Sequence, residues 1–150
     1  MKKVLILTLV VVLSLSLLSA CFDNQEAREE EALEEIEEVL TSFSEGVEES
    51  NEDKVTATLT SEERIKLIMI EGDFIDGEYL ERDTLIDLLL NYIDKWEIEN
   101  INLSFLTEDT AEIKANYSIT EMGDQFGGDS NIRLTKADDT WVINTIEIYQ

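Results

Sequence analysis

The chain has 150 residues, with 35 acidic against 11 basic side chains and a formal charge of −24; it has one cysteine, no histidine and no proline. A lone thiol excludes an intramolecular disulfide framework and a cysteine zinc site, and the missing histidine excludes a histidine metal centre and a Ser-His-Asp triad. The charge excludes nucleic acid as a natural partner, because phosphates would be repelled.

Met1-Lys2-Lys3 is a short positive region, and Val4 to Ala20 contains only apolar and small hydroxyl residues. That run is shorter than the roughly 20 residues a membrane span needs. A charged start, an apolar middle and small residues at the end predict a secretory signal over 1–20. Leu18-Ser19-Ala20-Cys21 then resembles the lipobox of bacterial lipoproteins, a Leu, two small residues and a Cys. The resemblance implies a diacylglyceryl group on the Cys21 thiol, cleavage after Ala20, and an acylated new amino terminus. Two or three acyl chains on one residue hold a protein stably to a membrane, where one holds it only marginally. The expected location is the cell membrane, lipid-anchored on its extracytoplasmic face. Losing Lys2 and Lys3 leaves 35 acidic groups against 9 basic ones, a mature charge near −26. The lipid would thus hold the domain near anionic headgroups that its own charge avoids.

Residues 21–25 are predicted as the lipidated Cys and a short tether, and 26–150 as one domain, long enough to bury a core. Asp23 or Asn24 is the expected cap of a first helix of about 25 residues. Leu33, Ile36, Leu40, Phe43 and Val47 form its apolar stripe, with glutamates on its other faces. Val55 to Leu59 suggests a helical turn. Thr60 and Glu63 have capping-box spacing, which predicts a second helix over Ser61 to Ile70. Two glycines and many carboxylates predict a loop over 71–83. A third helix is expected from Thr84 to about Lys95, capped by Asp83 and burying Leu85, Leu88, Leu89, Tyr92 and Ile93, with Trp96 closing it.

The period then changes to two. Ile101, Leu103 and Phe105 alternate with polar residues, Glu108-Asp109 turns, and Ala111, Ile113, Ala115, Tyr117 and Ile119 mark the clearest strand. Glu121 to Asn131 is predicted as a Gly-rich loop. Ile132 and Leu134 begin another strand, Ala137-Asp138-Asp139 turns, and Trp141 to Tyr149 is the last. Trp141 and Ile143 are on the opposite parity to Ile146 and Ile148, which a bulge near Asn144 reconciles. Helices followed by strands predict α+β, with N-terminal helices packed on a four-stranded antiparallel sheet.

This order, with the closing run of Leu134, Lys136, Asp138-Asp139, Trp141 and Ile143, resembles the nuclear transport factor 2-like superfamily over residues 26–149. The resemblance implies a cone, a curved sheet around the first helix, whose open end takes a small ligand. Enzymes of that superfamily include isomerases and cyclases. Their acid and base roles map onto no residues of this chain, and the histidine of dehydratase-type relatives is missing. Two readings stand: a non-catalytic module binding a small apolar ligand or an envelope protein, or an enzyme of isomerase or cyclase type using the cone cavity. Tyr79, Tyr92, Trp96, Tyr117 and Trp141 are the expected pocket-lining residues. The carboxylates Asp73, Asp76, Glu78, Glu81 and Asp83 miss the EF-hand pattern, because Phe74 falls on a ligand position when Gly77 is central. They read as a solvated loop, as do Asp124, Asp129 and Asn131, so no metal and no cofactor is expected.

Overall fold

The structure is a computed structural model that describes the backbone of residues 2–62, 64–71 and 74–149 and the side chains of 25–62, 65–67 and 80–149. The chain divides into two compact units, Met1–Glu34 and Glu35–Gln150. The first is helical over its described length, and within it Gln25 Nε2 donates to Glu29 Oε1 at 2.9 Å. Helix α1 is Lys2–Glu48, so the expected tether at residues 22–25 is helical and the chain starts no helix at Asp23 or Asn24. The Leu-rich run before them is itself a good helix former. The lipobox side chains, Cys21 included, lie outside the described residues.

In the second unit, α1 ends at Glu48 and Ser50, with φ of 50°, turns the chain, while Asn51 caps α2 (Glu52–Thr58) by accepting from the Lys54 amide at 3.1 Å. Gly46 lets the two helices approach: a Cβ there would meet Val55 Cγ2 at 2.9 Å. Strands β1 (Arg64–Glu71) and β2 (Phe74–Glu81) follow, then α3 (Arg82–Tyr92) and strands β3 (Ile93–Leu106), β4 (Thr110–Glu121), β5 (Asp124–Ala137) and β6 (Thr140–Tyr149). One six-stranded sheet results, in the order β2-β1-β6-β5-β4-β3. All pairs are antiparallel except β1 with β6.

The α+β class stands, but the sheet has six strands and is mixed. The helix expected over Ser61 to Ile70 is strand β1. Thr60 does not cap a helix; its amide donates to the Ile143 carbonyl at 2.9 Å, and Leu59 bridges Ile143 in parallel. Pairing with β6, a partner about eighty positions away, overrides a local capping signal. The loop expected over 71–83 is mostly β2, paired along its length with β1. Arg82 then ties the layers together, its guanidinium donating to the carbonyls of Thr60 (2.9 Å) and Thr56 (2.8 Å). These contacts satisfy carbonyls at and just beyond the C-terminal end of α2. The third helix starts and ends earlier than expected. Its buried line is Leu85, Ile86 and Leu89, continued by Ile93 at the start of β3, while Leu88 and Tyr92, expected inside, are 36% and 51% exposed.

The expected loop over 121–131 shrinks to a two-residue turn at Met122-Gly123, with φ of 51° and 90°, as in a tight hairpin. Gly127 and Gly128 lie within β5 because the strands crowd there. A Cβ on Gly128 would come within 2.1 Å of the Tyr149 carbonyl oxygen, and one on Gly127 within 2.5 Å of that of Tyr117. The turn at Asp138-Asp139 is as expected, both residues at positive φ. So is the bulge: Arg133 pairs with Thr145 and Leu134 with Ile143, leaving Asn144 as the extra residue.

Candidate functional site

Register sorts the strand residues into two faces, because side chains alternate along each strand. One face takes Trp96 and Ile98 of β3, Ala111 to Ile119 at odd positions of β4, Ser130, Ile132 and Leu134 of β5, and Trp141, Ile143, Ile146 and Ile148 of β6. It buries itself with Ile36, Leu40, Phe43 and Val47 of α1. Ile36, Phe43, Leu89, Ile113, Leu134 and Ile143 are fully excluded from solvent, so no water-sized void lies against them. Among the described residues the buried polar groups are Thr58, Thr60, Ser130 and Thr145, with the Trp96 indole N–H and the Tyr117 hydroxyl, and no carboxylate, ammonium or guanidinium is among them.

The five aromatic residues expected to line a pocket are scattered. Trp96 and Tyr117 share the inner face, each 4% exposed, on adjacent strands where Trp96 pairs with Ile119 and Tyr117 with Ile98. The Trp96 ring stands edge-on to Phe43, centroids 5.5 Å apart, and its Nε1 has no hydrogen-bond partner among the described residues. Trp141 is also buried but distant. Opposite β5 it pairs with Lys136, eight residues along from the Gly128 that pairs with Tyr117, or about 26 Å of strand. Its Nε1 donates to Glu35 Oε2 of α1 at 2.9 Å, and Lys136 Nζ lies 5.0 Å above its ring and 3.5 Å from the same carboxylate. That cluster anchors the β5–β6 hairpin to the helix. Tyr92 is exposed, and the Tyr79 side chain lies outside the described residues, as do those of Asp73, Asp76 and Glu78. No group of carboxylates that could hold a metal forms among the described residues.

The opposite face is where polar groups converge. The pairs Glu99–Asn116, Asn116–Asp129 and Asp129–Tyr149 carry one row across β3 to β6, with Asn100 bulged beside Glu99. The pairs Asn102–Lys114, Lys114–Asn131 and Asn131–Glu147 carry a second row one pleat away. In the first row Asn100 Nδ2 donates to Asn116 Oδ1 (2.9 Å) and Asn116 Nδ2 to Asp129 Oδ1 (2.7 Å). In the second, Asn131 Nδ2 donates to the Tyr149 hydroxyl (2.8 Å), which donates to Glu147 Oε2 (3.0 Å). Burial, and then the Glu147 carboxylate, push the Tyr149 phenol above its ordinary value. The rows line an open groove of about 520 Å³, and a smaller hollow of about 100 Å³ continues it past Lys114 and Asn131 toward Arg133 and Glu112. The polar parity of β4 was legible in the sequence. The groove was not, because it needs the register of β5, read there as a loop.

No protein-family model matches the sequence, and no curated protein matches it. Solved structures do. An NTF-2 like protein of unknown function from Shewanella oneidensis MR-1 superposes with a TM-score of 0.60 at 15% identity, covering 79% of this chain and 99% of the other. A protein from Novosphingobium aromaticivorans DSM 12444, named provisionally as a scytalone dehydratase, gives 0.59 at 15% identity over 78% and 82%. A protein of unknown function with a cystatin-like fold from Nostoc punctiforme PCC 73102 gives 0.54 at 14% identity over 77% and 87%. The fold is therefore nuclear transport factor 2-like: N-terminal helices on a curved, mixed six-stranded sheet.

Proposed function

We propose that this chain is a lipid-anchored, extracytoplasmic lipoprotein whose domain binds a ligand or an envelope partner without transforming it. One observation carries the non-catalytic half of this reading: the residues buried under the sheet, as far as they are described, include no carboxylate and no basic side chain, the Tyr117 phenol being the titratable group among them. Proton transfer of the isomerase type needs a carboxylate whose pKa a buried environment has tuned. Here the described carboxylates are all on the surface. The anchoring half rests on Leu18-Ser19-Ala20-Cys21 placed after an uncharged apolar run. Mass spectrometry of the mature amino terminus tests it: a diacylglyceryl mass on Cys21 is expected, and an unmodified Cys21 or cleavage elsewhere would refute it.

The enzyme reading has one observation on its side, the unpaired Trp96 Nε1, a buried donor that a ligand carbonyl would satisfy. Trp96→Phe separates the two. A binding module working through its outer face keeps its affinity, whereas a cavity enzyme or cavity binder loses its ligand.

A further inference from the structure

We propose that the outer groove binds a neutral, hydroxyl-rich chain, an oligosaccharide, laid across strands β3 to β6. The inference rests on the binding reading above and names the ligand class.

The first argument is chemical. Four asparagines, Asn100, Asn102, Asn116 and Asn131, sit on one face of three adjacent strands. A side-chain amide offers a donor and an acceptor in one plane, which suits neighbouring sugar hydroxyls and the acetamido group of an amino sugar. The internal bonds use the nitrogens of all four asparagines, each with one N–H of the amide, while the Oδ1 atoms of Asn100, Asn102 and Asn131, Asp129 Oδ2 and Lys114 Nζ take no partner among the described residues. Both donors and acceptors are thus left over.

The second argument is pre-organisation. Each amide is already held by its neighbour, on a rigid sheet, so little side-chain entropy is lost when a ligand arrives. The row from Asn116's neighbour on β3 to Tyr149 on β6 crosses three strand spacings, about 14 Å. That is longer than a single sugar ring and fits a short oligomer.

The third argument is charge. On a chain with 35 acidic and 11 basic residues the groove's own lining holds one cation and one carboxylate, Lys114 and Asp129, with Glu99 and Glu147 at the ends of its two rows. A polyanion would be repelled by the protein as a whole, and among the described residues the carboxylates along the rows do not gather into a group that could hold a metal ion. An extended peptide fits less well. The groove is a sheet face and not an unpaired edge, so it offers no backbone ladder, and it has no deep apolar pocket for a side-chain anchor.

The test is a calorimetric titration of the full-length lipoprotein in detergent micelles with tetra-N-acetylchitotetraose, and in parallel with an uncharged Gly-Ser peptide of similar length. Saturable binding of the sugar is expected, weakened about tenfold or more by Asn116→Ala and by Asn131→Ala, a difference of about 1.4 kcal/mol each. The melting midpoints of both variants should stay close to that of the parent. Trp96→Phe should leave sugar affinity unchanged. No sugar binding, or sugar binding indifferent to both asparagine variants, overturns the proposal. So does binding of the peptide alone, or a concentration-dependent dimer that the same variants dissociate. These results leave the non-catalytic binding reading standing, because that reading falls only if Trp96→Phe abolishes ligand capture or if Cys21 carries no lipid.

Discussion

The two faces of strands β4 to β6 are built by the same backbone and differ in almost everything else. The inner face is chiefly Ala, Ile, Leu, Trp and Tyr packed toward helix α1, and all of these side chains are buried. The outer face is Asn, Asp, Glu, Lys, Arg and Tyr, bonded to one another in chains that stay open to solvent. Burial of apolar area makes the first face the source of stability, at roughly 1.5–3 kcal/mol for each large side chain. Exposed polar pairs contribute little to stability, a median of about 0–1 kcal/mol for ion pairs. The outer face is thus free to be shaped by recognition at small thermodynamic cost. Its pre-bonded amides are the part of this surface that stability alone does not call for.

This division can be broken most visibly at Trp141. Trp141→Ala empties a buried site, removes the bond to Glu35 and takes away the ring beneath Lys136, and should cost about 3–5 kcal/mol in a denaturant melt. A loss under about 1 kcal/mol would mean that the ring is not buried against the helix.

Gly128→Ala comes next, because it forces the two ends of β5 and β6 apart. The new methyl would meet the Tyr149 carbonyl oxygen, and overpacking of that kind costs about 1–3 kcal/mol. The same substitution at Gly123 meets no atom within 4 Å but imposes a side chain on φ of 90°. It should therefore destabilise through backbone strain alone, by about 1–2 kcal/mol. Comparing the two by thermal melts separates crowding between strands from turn geometry.

Asn116→Ala sharpens the contrast from the other side. It deletes the centre of the amide row yet should move stability by less than about 0.5 kcal/mol, since the position is exposed. A loss of 2 kcal/mol or more in the same melt would make the row a structural element and not a recognition surface.

The smallest effect is at high pH. The Tyr149 phenol is raised above its ordinary value of 10 by burial and by Glu147. Lys54 is raised above its ordinary 10.5 by hydrogen bonds to Glu49 and Glu45, and Lys95 by its bond to Glu97. A raised folded pKa means that the native state keeps its proton longer than the unfolded chain. The contribution is complete below about pH 10 and is lost as pH rises through the folded values. Melts across the alkaline limb should thus show falling stability, less steeply in Tyr149→Phe and without change between pH 6 and 9. An equal slope in parent and variant would show that the Tyr149–Glu147 bond does not form.

The sequence made β4, the tight turn at Asp138-Asp139 and the Asn144 bulge legible, because each depends on period-two alternation and local turn chemistry. It misled over Ser61 to Ile70, where Thr60 and Glu63 imitate a helix start. What makes that segment a strand is the parallel partner β6, and parallel pairing has no short-range signature. Phe74 to Glu81 failed for a related reason, since Gly77 and the carboxylates outweighed a hairpin that only β1 specifies. Trp96 was placed at a helix end when β3 already begins at Ile93, and this moved the helix's apolar line off Leu88 and Tyr92. The outer groove stayed hidden longest. Its asparagines are on three strands, and only the register of each pair brings Asn116 opposite Asp129 and Asn102 opposite Lys114.

The division between a packed inner face and a receptive outer one is tested most directly by nitrogen–proton correlation spectra of the labelled protein in micelles. The probes are the Trp96 indole N–H inside and the Asn116 and Asn131 side-chain amides outside, followed during addition of tetra-N-acetylchitotetraose and, separately, of benzene, which enters dry apolar cavities. The expected result is that the sugar shifts the two asparagine amides saturably while the Trp96 signal stays fixed under both additions. A saturable shift of the Trp96 signal with benzene, or with the sugar ahead of the asparagines, would contradict it and show a hollow cone whose interior is the binding site.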